Sequence, residues 1–202
     1  MAYRIITISR EYGSGGRTVG ELASKQLGIP LYDKEVVDAM AESCGFSHDF
    51  IEEVGEYASV TNSFLFSIAV SSRLEGSVNL MSAADQLYAY QANYIRELAE
   101  KGPCIIVGRC ADYILRERDD VLNVFVHADM DFRTKHMAEV YKKPEHAVPK
   151  WLKERDNRRK VYYKHYTGRT WSDPHNYDLC LCTSRIGIEH AAKMLTEIYQ
   201  GG

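Results

Sequence analysis

A short stretch near the N-terminus combines glycines, a cation and a hydroxyl at the spacing that phosphate-binding loops use. It runs Gly13, Ser14, Gly15, Gly16, Arg17, Thr18. Glycines allow successive backbone N–H groups to point toward one anion, and a helix that begins after them adds its partial positive charge. Arg17 would hold phosphate oxygens, and Thr18 would hold Mg²⁺ beside them. The stretch therefore predicts a loop that binds phosphate groups.

This stretch departs from the standard nucleotide-binding loop at two positions. The standard pattern is a glycine, any four residues, and then Gly-Lys-Ser/Thr. Here Arg17 replaces the lysine, and Glu11 stands where the first glycine is expected. A guanidinium can bind two phosphate oxygens but is bulkier than an ammonium, and a carboxylate repels phosphates unless Mg²⁺ or a neighbour such as Arg10 offsets its charge. An ordinary glycine-rich turn without a ligand is the alternative.

Two further charged residues follow predicted strands. Asp33 comes after a two-residue apolar segment, and Arg109 leaves the apolar run Cys104–Val107 through a glycine. Ligands collect at the carboxyl ends of parallel strands, so an arginine that leaves a buried strand in this way is well placed to meet an anion. The alternative is that Arg109 forms an ordinary ion pair with a local carboxylate such as Asp112.

A basic run over residues 153–160 carries a third group of candidates. Arg155 and Arg159 are one helical turn apart and share a helix face. Two guanidiniums on one face can stabilise the charge that spreads over a transferring phosphoryl group. The aromatic and basic loop that we expect at residues 162–171 is typical of a closing lid. A basic helix face that is merely exposed to solvent is the alternative.

The spacing of apolar residues predicts the elements that position these groups. Apolar runs predict strands at residues 3–8, 31–32, 104–107, 121–126 and 177–183. Helical spacing predicts helices over residues 19–27, 33–44, 83–101, 129–141, 144–164 and 186–199, and a weakly amphipathic helical pattern from 47 to 100. Strands that alternate with helices predict an α/β fold with a parallel sheet of about five strands, covered on both faces.

Composition limits the class of protein. A chain of 202 residues is most simply one domain, residues 1–202. The net charge of −3 argues against wholesale binding of nucleic acid, and no apolar run is long enough to span a membrane. Five cysteines without a Cys-x-x-Cys pattern indicate reduced thiols in a cytoplasmic protein, and the early first strand leaves no room for a secretory leader. Cys104, Cys180 and Cys182 lie in apolar runs, and we expect them in the core.

With these residues in hand, the chain resembles the cytidylate kinase-like family, a branch of the P-loop nucleoside monophosphate kinases, over almost its whole length. The segments that carry the resemblance are residues 8–17, 27–35, 105–112, 166–168, 171 and 177–179. In one-letter code they read ISREYGSGGR, LGIPLYDKE, IIVGRCAD, YTG, W and YDL. The combination is specific for this branch, although each segment alone is a weak signal.

The resemblance implies a P-loop kinase fold, ATP as the phosphoryl donor, Mg²⁺, and a small nucleotide as the acceptor. It implies that residues 13–18 hold the ATP phosphates. Asp33 would lie near the acceptor nucleotide, and Arg109 would contact the phosphate side of the acceptor. The helices over residues 34–101 would form an acceptor-binding subdomain.

The resemblance also implies a lid over about residues 150–171. Arg155 and Arg159 match the lid arginines that grip the transferred phosphoryl group. Asp156 would orient these arginines. Together with Arg17 of the loop, these residues are the expected catalytic set.

One departure from the family pattern concerns the acceptor. Cytidylate kinases carry Gly-Arg-Asp where this chain has Gly108, Arg109 and Cys110. The missing aspartate reads the cytosine ring, and a thiol cannot supply that charge-assisted hydrogen bond. The leading hypothesis is transfer of the γ-phosphoryl group of ATP to a nucleoside monophosphate or a similar small acceptor. The alternatives are a kinase for a non-nucleotide acceptor and a non-catalytic nucleotide-binding regulatory module.

Overall fold

The computed structural model describes residues 2–33, 36, 38, 39, 83–142 and 145–201. The helical pattern predicted for residues 47–82 and most of the helix predicted for residues 33–44 lie outside the described residues. The larger part of the predicted acceptor-binding subdomain therefore lies outside them as well. Within the described ranges, no helix is both long enough and apolar enough to cross a membrane.

Five parallel strands form a sheet in the order β2-β3-β1-β4-β5, which confirms the predicted α/β fold. The strands are β1 Ile5–Arg10, β2 Leu31–Tyr32, β3 Cys104–Val107, β4 Val121–His127 and β5 Leu179–Cys182. The central strand β1 pairs with β3 through Ile8 and Val107, and with β4 through Arg10 and Val126. Because the strands are parallel, their carboxyl ends share one edge of the sheet. The glycine stretch follows β1 at this edge, and Arg109 follows β3.

Helices cover both faces of the sheet. In the described residues they are α1 Gly16–Leu27, α2 Ala83–Lys101, α3 Ala111–Ile114, α4 Met130–Tyr141, α5 Val148–Thr167, α6 Thr183–Ile186 and α7 Ile188–Gly201. Short 3₁₀ helices cover Glu145–Ala147 and Pro174–Asn176. The bounds of α2 are those predicted. Helix α1 begins at Gly16, within the glycine stretch, rather than at residue 19.

Alternating residues of β1 supply two apolar cores, because successive side chains of a strand point to opposite faces. Ile6 and Ile8 pack with residues of α1 and α7, such as Leu195. Ile5 packs on the other face with residues of α2 and α5, such as Ile95. All of these side chains are fully buried, and each contributes about 1.5–3 kcal/mol of hydrophobic stabilisation. The strand that ends at the glycine loop is therefore held firmly on both faces.

The expectation that three cysteines lie in the core is only partly correct. Cys104 on β3 is buried, whereas Cys180 is exposed and Cys182 is partly buried. Both of the latter lie on β5, which is an edge strand of the sheet. The residue between them, Leu181, points inward and is 2% exposed. An apolar run on an edge strand therefore buries only one of its faces.

The aromatic segment expected as a loop at residues 162–171 is mostly helical. Helix α5 continues to Thr167, and the N–H of Gly168 then donates to the Lys164 carbonyl oxygen at 3.0 Å. Tyr162 and Tyr163 are buried and pack in the core between α5 and the sheet. Trp171 beyond the helix is also buried. Burial of these rings favours continued helix over an exposed loop.

Candidate active site

The glycine stretch forms a tight loop between β1 and α1. Gly13 and Gly15 have φ angles of 82° and 79°, a conformation that residues with side chains rarely adopt. A Cβ atom at Gly13 would lie 2.7 Å from Cγ of Met137, and one at Gly15 would lie 2.6 Å from Cδ1 of Ile188. Both backbone conformation and close packing therefore require glycine at these positions.

The loop and the start of α1 have the form of an anion-binding turn. The backbone N–H and the hydroxyl of Ser14 donate to the carbonyl oxygen of Glu11 at 3.2 and 2.8 Å, which closes the loop. Helix α1 follows Gly15, which has no side chain that could cap the first-turn N–H groups. Thr18 is exposed on that first turn. These features fit the phosphates of ATP, and the Thr18 hydroxyl fits the accompanying Mg²⁺.

Arg17 and Asp33 lie together beside this loop. Nε of Arg17 is 3.0 Å from Oε1 of Glu21 and 3.5 Å from Oδ2 of Asp33. Oδ1 of Asp33 lies 3.7 Å from Nη2 of Arg10, at the end of β1. Asp33 therefore links the arginine of the loop with an arginine of the central strand. The Arg17 side chain is 48% exposed, so a phosphate group could reach it in competition with the two carboxylates.

Glu11 is held by other groups than the neighbour expected from the sequence. Its Oε2 accepts a hydrogen bond from the N–H of Ala128 at 3.2 Å and lies 3.7 Å from Nη1 of Arg133. Ala128 follows β4, so the carboxylate ties the loop to the next strand. Arg133 therefore offsets the negative charge of Glu11, a role that the sequence suggested for Arg10. This contact gives the residue in the place of the first glycine a structural role.

Arg133 on α4 is a component of the site that the sequence analysis missed. It is 5% exposed, and its Nη1 donates to Oδ2 of Asp156 at 2.5 Å and to the carbonyl oxygen of Tyr12 at 3.2 Å. Oδ1 of Asp156 accepts the N–H of Tyr12 at 2.8 Å. The buried Arg133–Asp156 pair thus fastens both α4 and α5 to the backbone of the loop. The only feature of the sequence that could have indicated this role is a basic residue near the start of a helix that follows a strand.

The cationic run on α5 turns one face toward the loop. The Cζ atoms of Arg155 and Arg159 lie 5.6 and 5.2 Å from the centroid of the Tyr12 ring. Nη1 of Arg159 donates to the carbonyl oxygen of Arg10 at 2.7 Å. Arg159 is buried, whereas Arg158 beside it is exposed. For Arg159, the alternative of a merely solvated basic face is therefore wrong.

Arg109 lies in a turn of left-handed backbone after β3. Gly108, Arg109 and Cys110 have φ angles of 73°, 61° and 55°. Arg109 is 5% exposed, and its Nε and Nη1 have no hydrogen-bond partner among the described residues. A non-glycine residue in this conformation costs about 1–3 kcal/mol and persists only where the surrounding structure enforces it. The turn therefore places a buried guanidinium with unused donors at the edge of the sheet.

Asp112 is not the partner of Arg109. Its Oδ2 accepts the hydroxyl of Tyr163 at 2.5 Å, and it is 4% exposed. Burial raises the pKa of Asp112, although the hydrogen bond from Tyr163 opposes the rise. The alternative of an ordinary ion pair is therefore wrong for Asp112, the carboxylate that served as its example, and Asp112 instead joins α3 to α5.

A narrow cavity brings the arginines of three elements together. Its lining includes Ser9, Arg10, Arg109, Cys110, Arg159 and Trp171. Arg10 ends β1, Arg109 follows β3 and Arg159 comes from α5. Three guanidiniums line this cavity, whose volume of about 10 Å³ has room for one water-sized group. A larger anion with several oxygens would bind these guanidiniums only where the lining residues move apart. Two of these arginines, Arg109 and Arg159, were candidates from the sequence, and Arg10 was considered there only as a neighbour of Glu11.

Comparisons with known proteins indicate relatives of this chain at the level of family and fold. A family model described as "Cytidylate kinase-like family" matches residues 5–185. An uncharacterized protein from Eubacterium ventriosum has a similar structure, with 27% sequence identity and a TM-score of 0.73, and the match covers 98% of this chain and 99% of that one. No curated protein sequence matches significantly.

Two kinases share the fold at lower identity. The structure of shikimate kinase from Bacteroides thetaiotaomicron matches with 14% identity and a TM-score of 0.56, over 96% of this chain and 97% of that one. A gluconokinase from Sinorhizobium meliloti matches with 14% identity and a TM-score of 0.52, over 98% and 97%. At these identities the matches establish the P-loop kinase fold alone.

Proposed function

The chain belongs to the cytidylate kinase-like family, and on that premise we propose that it transfers the γ-phosphoryl group of ATP to a small anionic acceptor, most simply a nucleoside monophosphate. The family supports a kinase-like phosphotransferase in general terms. The acceptor, the use of ATP with Mg²⁺, and the roles of individual residues are parts of the proposal. So are the cytoplasmic setting and the preference for small molecules over nucleic acid.

The cavity with three arginines is the observation that carries this proposal. A buried charge without partners is costly, and a group of like charges is more so. The unused Nε and Nη1 donors of Arg109 lie beside Arg10 and Arg159 in this cavity. An anionic acceptor would satisfy these donors and offset the clustered charge. The cavity adjoins the carboxyl ends of β1 and β3, and the glycine loop follows β1, so donor and acceptor would meet at this edge of the sheet.

The residues of the chain would act mainly by positioning and by neutralising charge, as phosphoryl transfer requires. Residues 13–18 would bind the donor phosphates through backbone N–H groups other than that of Ser14, which donates to Glu11. Arg17 would add a cation. Bound Mg²⁺, held by Thr18, would neutralise charge on the phosphates. Arg155 and Arg159 would approach the transferring group from α5. Asp33 and Arg109 would bind the acceptor.

Residues 150–171 would form the lid of this enzyme. Arg159 already contacts the backbone of Arg10, and Asp156 contacts that of Tyr12. If these residues act as a lid, these contacts correspond to its closed position, with its aromatic end packed in the core. Asp156 would set the position of the lid arginines indirectly, by fixing α5 against the loop.

Cys110 favours a second candidate, a kinase for a non-nucleotide acceptor. It is buried and lines the cavity where cytidylate kinases carry the aspartate that reads the base. A regulatory module without turnover is the third candidate, and the lid cations disfavour it, because binding alone does not require a lid.

A coupled assay of ADP release separates these candidates. Turnover with ATP, Mg²⁺ and a panel of nucleoside monophosphates supports the proposal. ATP binding by calorimetry without turnover on that panel, but with turnover on hydroxy acids or sugars, supports the second candidate. Binding without turnover on any acceptor supports the third. With a working acceptor, Arg109→Met should lower kcat/KM about tenfold or more, whereas Arg116→Met on the exposed surface should not.

A further inference from the structure

A fully buried amide contacts the turn that carries Arg109. Gln91 on α2 is 0% exposed. Its Nε2 donates to the carbonyl oxygen of Arg109 at 2.9 Å and to the hydroxyl oxygen of Tyr162 at 3.3 Å. An amide nitrogen has two protons, and here each has an acceptor. The buried amide thus makes two hydrogen bonds, both to residues that line the cavity.

The orientation of this amide is set by its donors. Oε1 of Gln91 has no hydrogen-bond partner among the described residues. If the amide were flipped, its oxygen would face the carbonyl oxygen of Arg109, and the two acceptors would repel each other. A buried acceptor without a partner costs about 1–3 kcal/mol. The two hydrogen bonds that Nε2 donates therefore outweigh the cost of leaving Oε1 without a partner.

The bond to Arg109 falls where the backbone most needs support. Arg109 and Cys110 are both left-handed residues with side chains, and such conformations persist only where surrounding contacts enforce them. The direction of the Arg109 guanidinium depends on this backbone conformation. A donor fixed on the Arg109 carbonyl therefore also fixes where its charge points.

The bond to Tyr162 connects the same amide to the helix of the lid arginines. Tyr162 lies on α5, three residues after Arg159, and both residues line the cavity. The neighbouring Tyr163 bonds to Asp112, two residues beyond the left-handed turn. Gln91 thus lies at the junction of the segments that supply Arg109 and Arg159.

We propose that Gln91 is a positioning residue, which holds Arg109 and Arg159 at the spacing that an oxyanion in the cavity requires. This inference rests on the proposed function, because it assumes that the three-arginine cavity binds an anionic group. Gln91 acts through the Arg109 carbonyl and the Tyr162 hydroxyl and does not touch the ligand. A substitution that removes the Nε2 donors of Gln91 should therefore weaken binding of an oxyanion.

The test uses inorganic sulfate, whose charge stays constant between pH 5 and pH 8, titrated into the full chain by calorimetry. Arg109→Met defines the part of sulfate binding that belongs to the cavity. Gln91→Met keeps the volume and removes both donors, and it should weaken that part about three- to tenfold, the worth of one hydrogen bond. Circular dichroism and the unfolding midpoint establish that each variant is folded.

Gln91→Glu supplies a signature that loss of packing would not produce. A buried carboxyl tends to be protonated to higher pH than usual, and in that form it can donate to the Arg109 carbonyl. Once ionised, it only accepts and repels that carbonyl. Sulfate affinity of Gln91→Glu should therefore fall as pH rises from 5 to 8, relative to the unmodified protein. Gln86→Glu, the same change at an exposed position of α2, should follow the unmodified protein.

The outcomes separate the two levels of the argument. If Arg109→Met leaves sulfate binding unchanged, the cavity is not the anion site and the proposed function fails with it. If sulfate binding depends on Arg109, but Gln91→Met binds normally or Gln91→Glu shows no added pH dependence, only the positioning role is overturned. Should Gln91→Met fail to fold, Tyr162→Phe, which removes one of the two acceptors, replaces it. Unchanged sulfate affinity in folded Tyr162→Phe would then overturn the role.

Discussion

Asp156 accepts the backbone N–H of Tyr12 at 2.8 Å across 144 residues of sequence. Its other oxygen binds Nη1 of the buried Arg133. One carboxylate of α5 therefore contacts both the glycine loop and α4. Removing one member of such a buried pair leaves a charge without compensation, which typically costs about 3–5 kcal/mol.

Asp156→Asn should therefore lower the free energy of unfolding by about 2 kcal/mol or more, somewhat below the typical cost because Glu11 also lies near Arg133. Urea unfolding monitored by circular dichroism measures the change. Asp131→Asn, at an exposed position of α4, is the control and should change stability little. Equal stability of both variants would contradict a structural role for the Arg133–Asp156 pair.

Arg159→Ala should lower kcat by roughly 10²-fold or more, while ATP affinity changes much less, because the proposed contact forms mainly in the transition state. Steady-state kinetics with a verified acceptor and calorimetry with ATP provide the two readouts. Arg158→Ala is a matched control, since it removes the neighbouring arginine from the exposed side of the helix. Full turnover in Arg159→Ala would show that this arginine serves packing alone.

Arg17→Ala should weaken ATP binding by about 1.5–3 kcal/mol, the typical worth of a hydrogen bond to a charged group. The expected loss lies toward the lower limit, because Arg17 is half exposed and must leave Glu21 and Asp33 to reach phosphate. Calorimetry measures the affinity, with Lys25→Ala at an exposed position of the same helix as control. An unchanged affinity would remove Arg17 from the binding set.

Cys110→Asp should raise activity on CMP relative to UMP and AMP. A site that hydrogen-bonds a polar group of its substrate discriminates far better than one without that partner. The left-handed backbone at Cys110 is favourable for this change, because aspartate adopts it more readily than most residues. Cys110→Asn distinguishes the effect of charge from that of shape. An unchanged ratio of activities would indicate that acceptor choice is set elsewhere in the chain, such as in residues 47–100.

The buried Asp112 predicts a specific dependence of stability on pH. Its pKa is raised above the unfolded value of 3.8, so the folded state holds a proton that the unfolded state releases. Stability then falls as pH rises from the unfolded pKa through the folded one. Asp112→Asn should lose less stability than the unmodified protein over this range, as measured by urea unfolding at a series of pH values. Parallel curves for the two proteins would contradict the raised pKa.

The sequence predicted those parts of the fold and site that depend on local patterns. The period of apolar residues was enough for the strands and for α2, and a glycine stretch between strand and helix located the loop. Arg133 and Gln91 could not be found in this way. Each looks like an ordinary polar residue on a helix, and each acquires its role from a backbone group distant in sequence. The direction of the Glu11 carboxylate toward Ala128 has the same origin.

The contacts that fasten the helices to the site end mostly on main-chain atoms. Asp156 accepts a hydrogen bond from the N–H of Tyr12, and Arg133 donates one to the carbonyl oxygen of Tyr12. Arg159 donates to the carbonyl oxygen of Arg10. Gln91 donates to the carbonyl oxygen of Arg109. Every residue type except proline offers both groups. The side chains at positions 10, 12 and 109 can therefore diverge during evolution while these hydrogen bonds to the main chain are retained. Such a frame allows a lineage to exchange one acceptor for another without first rebuilding the fold.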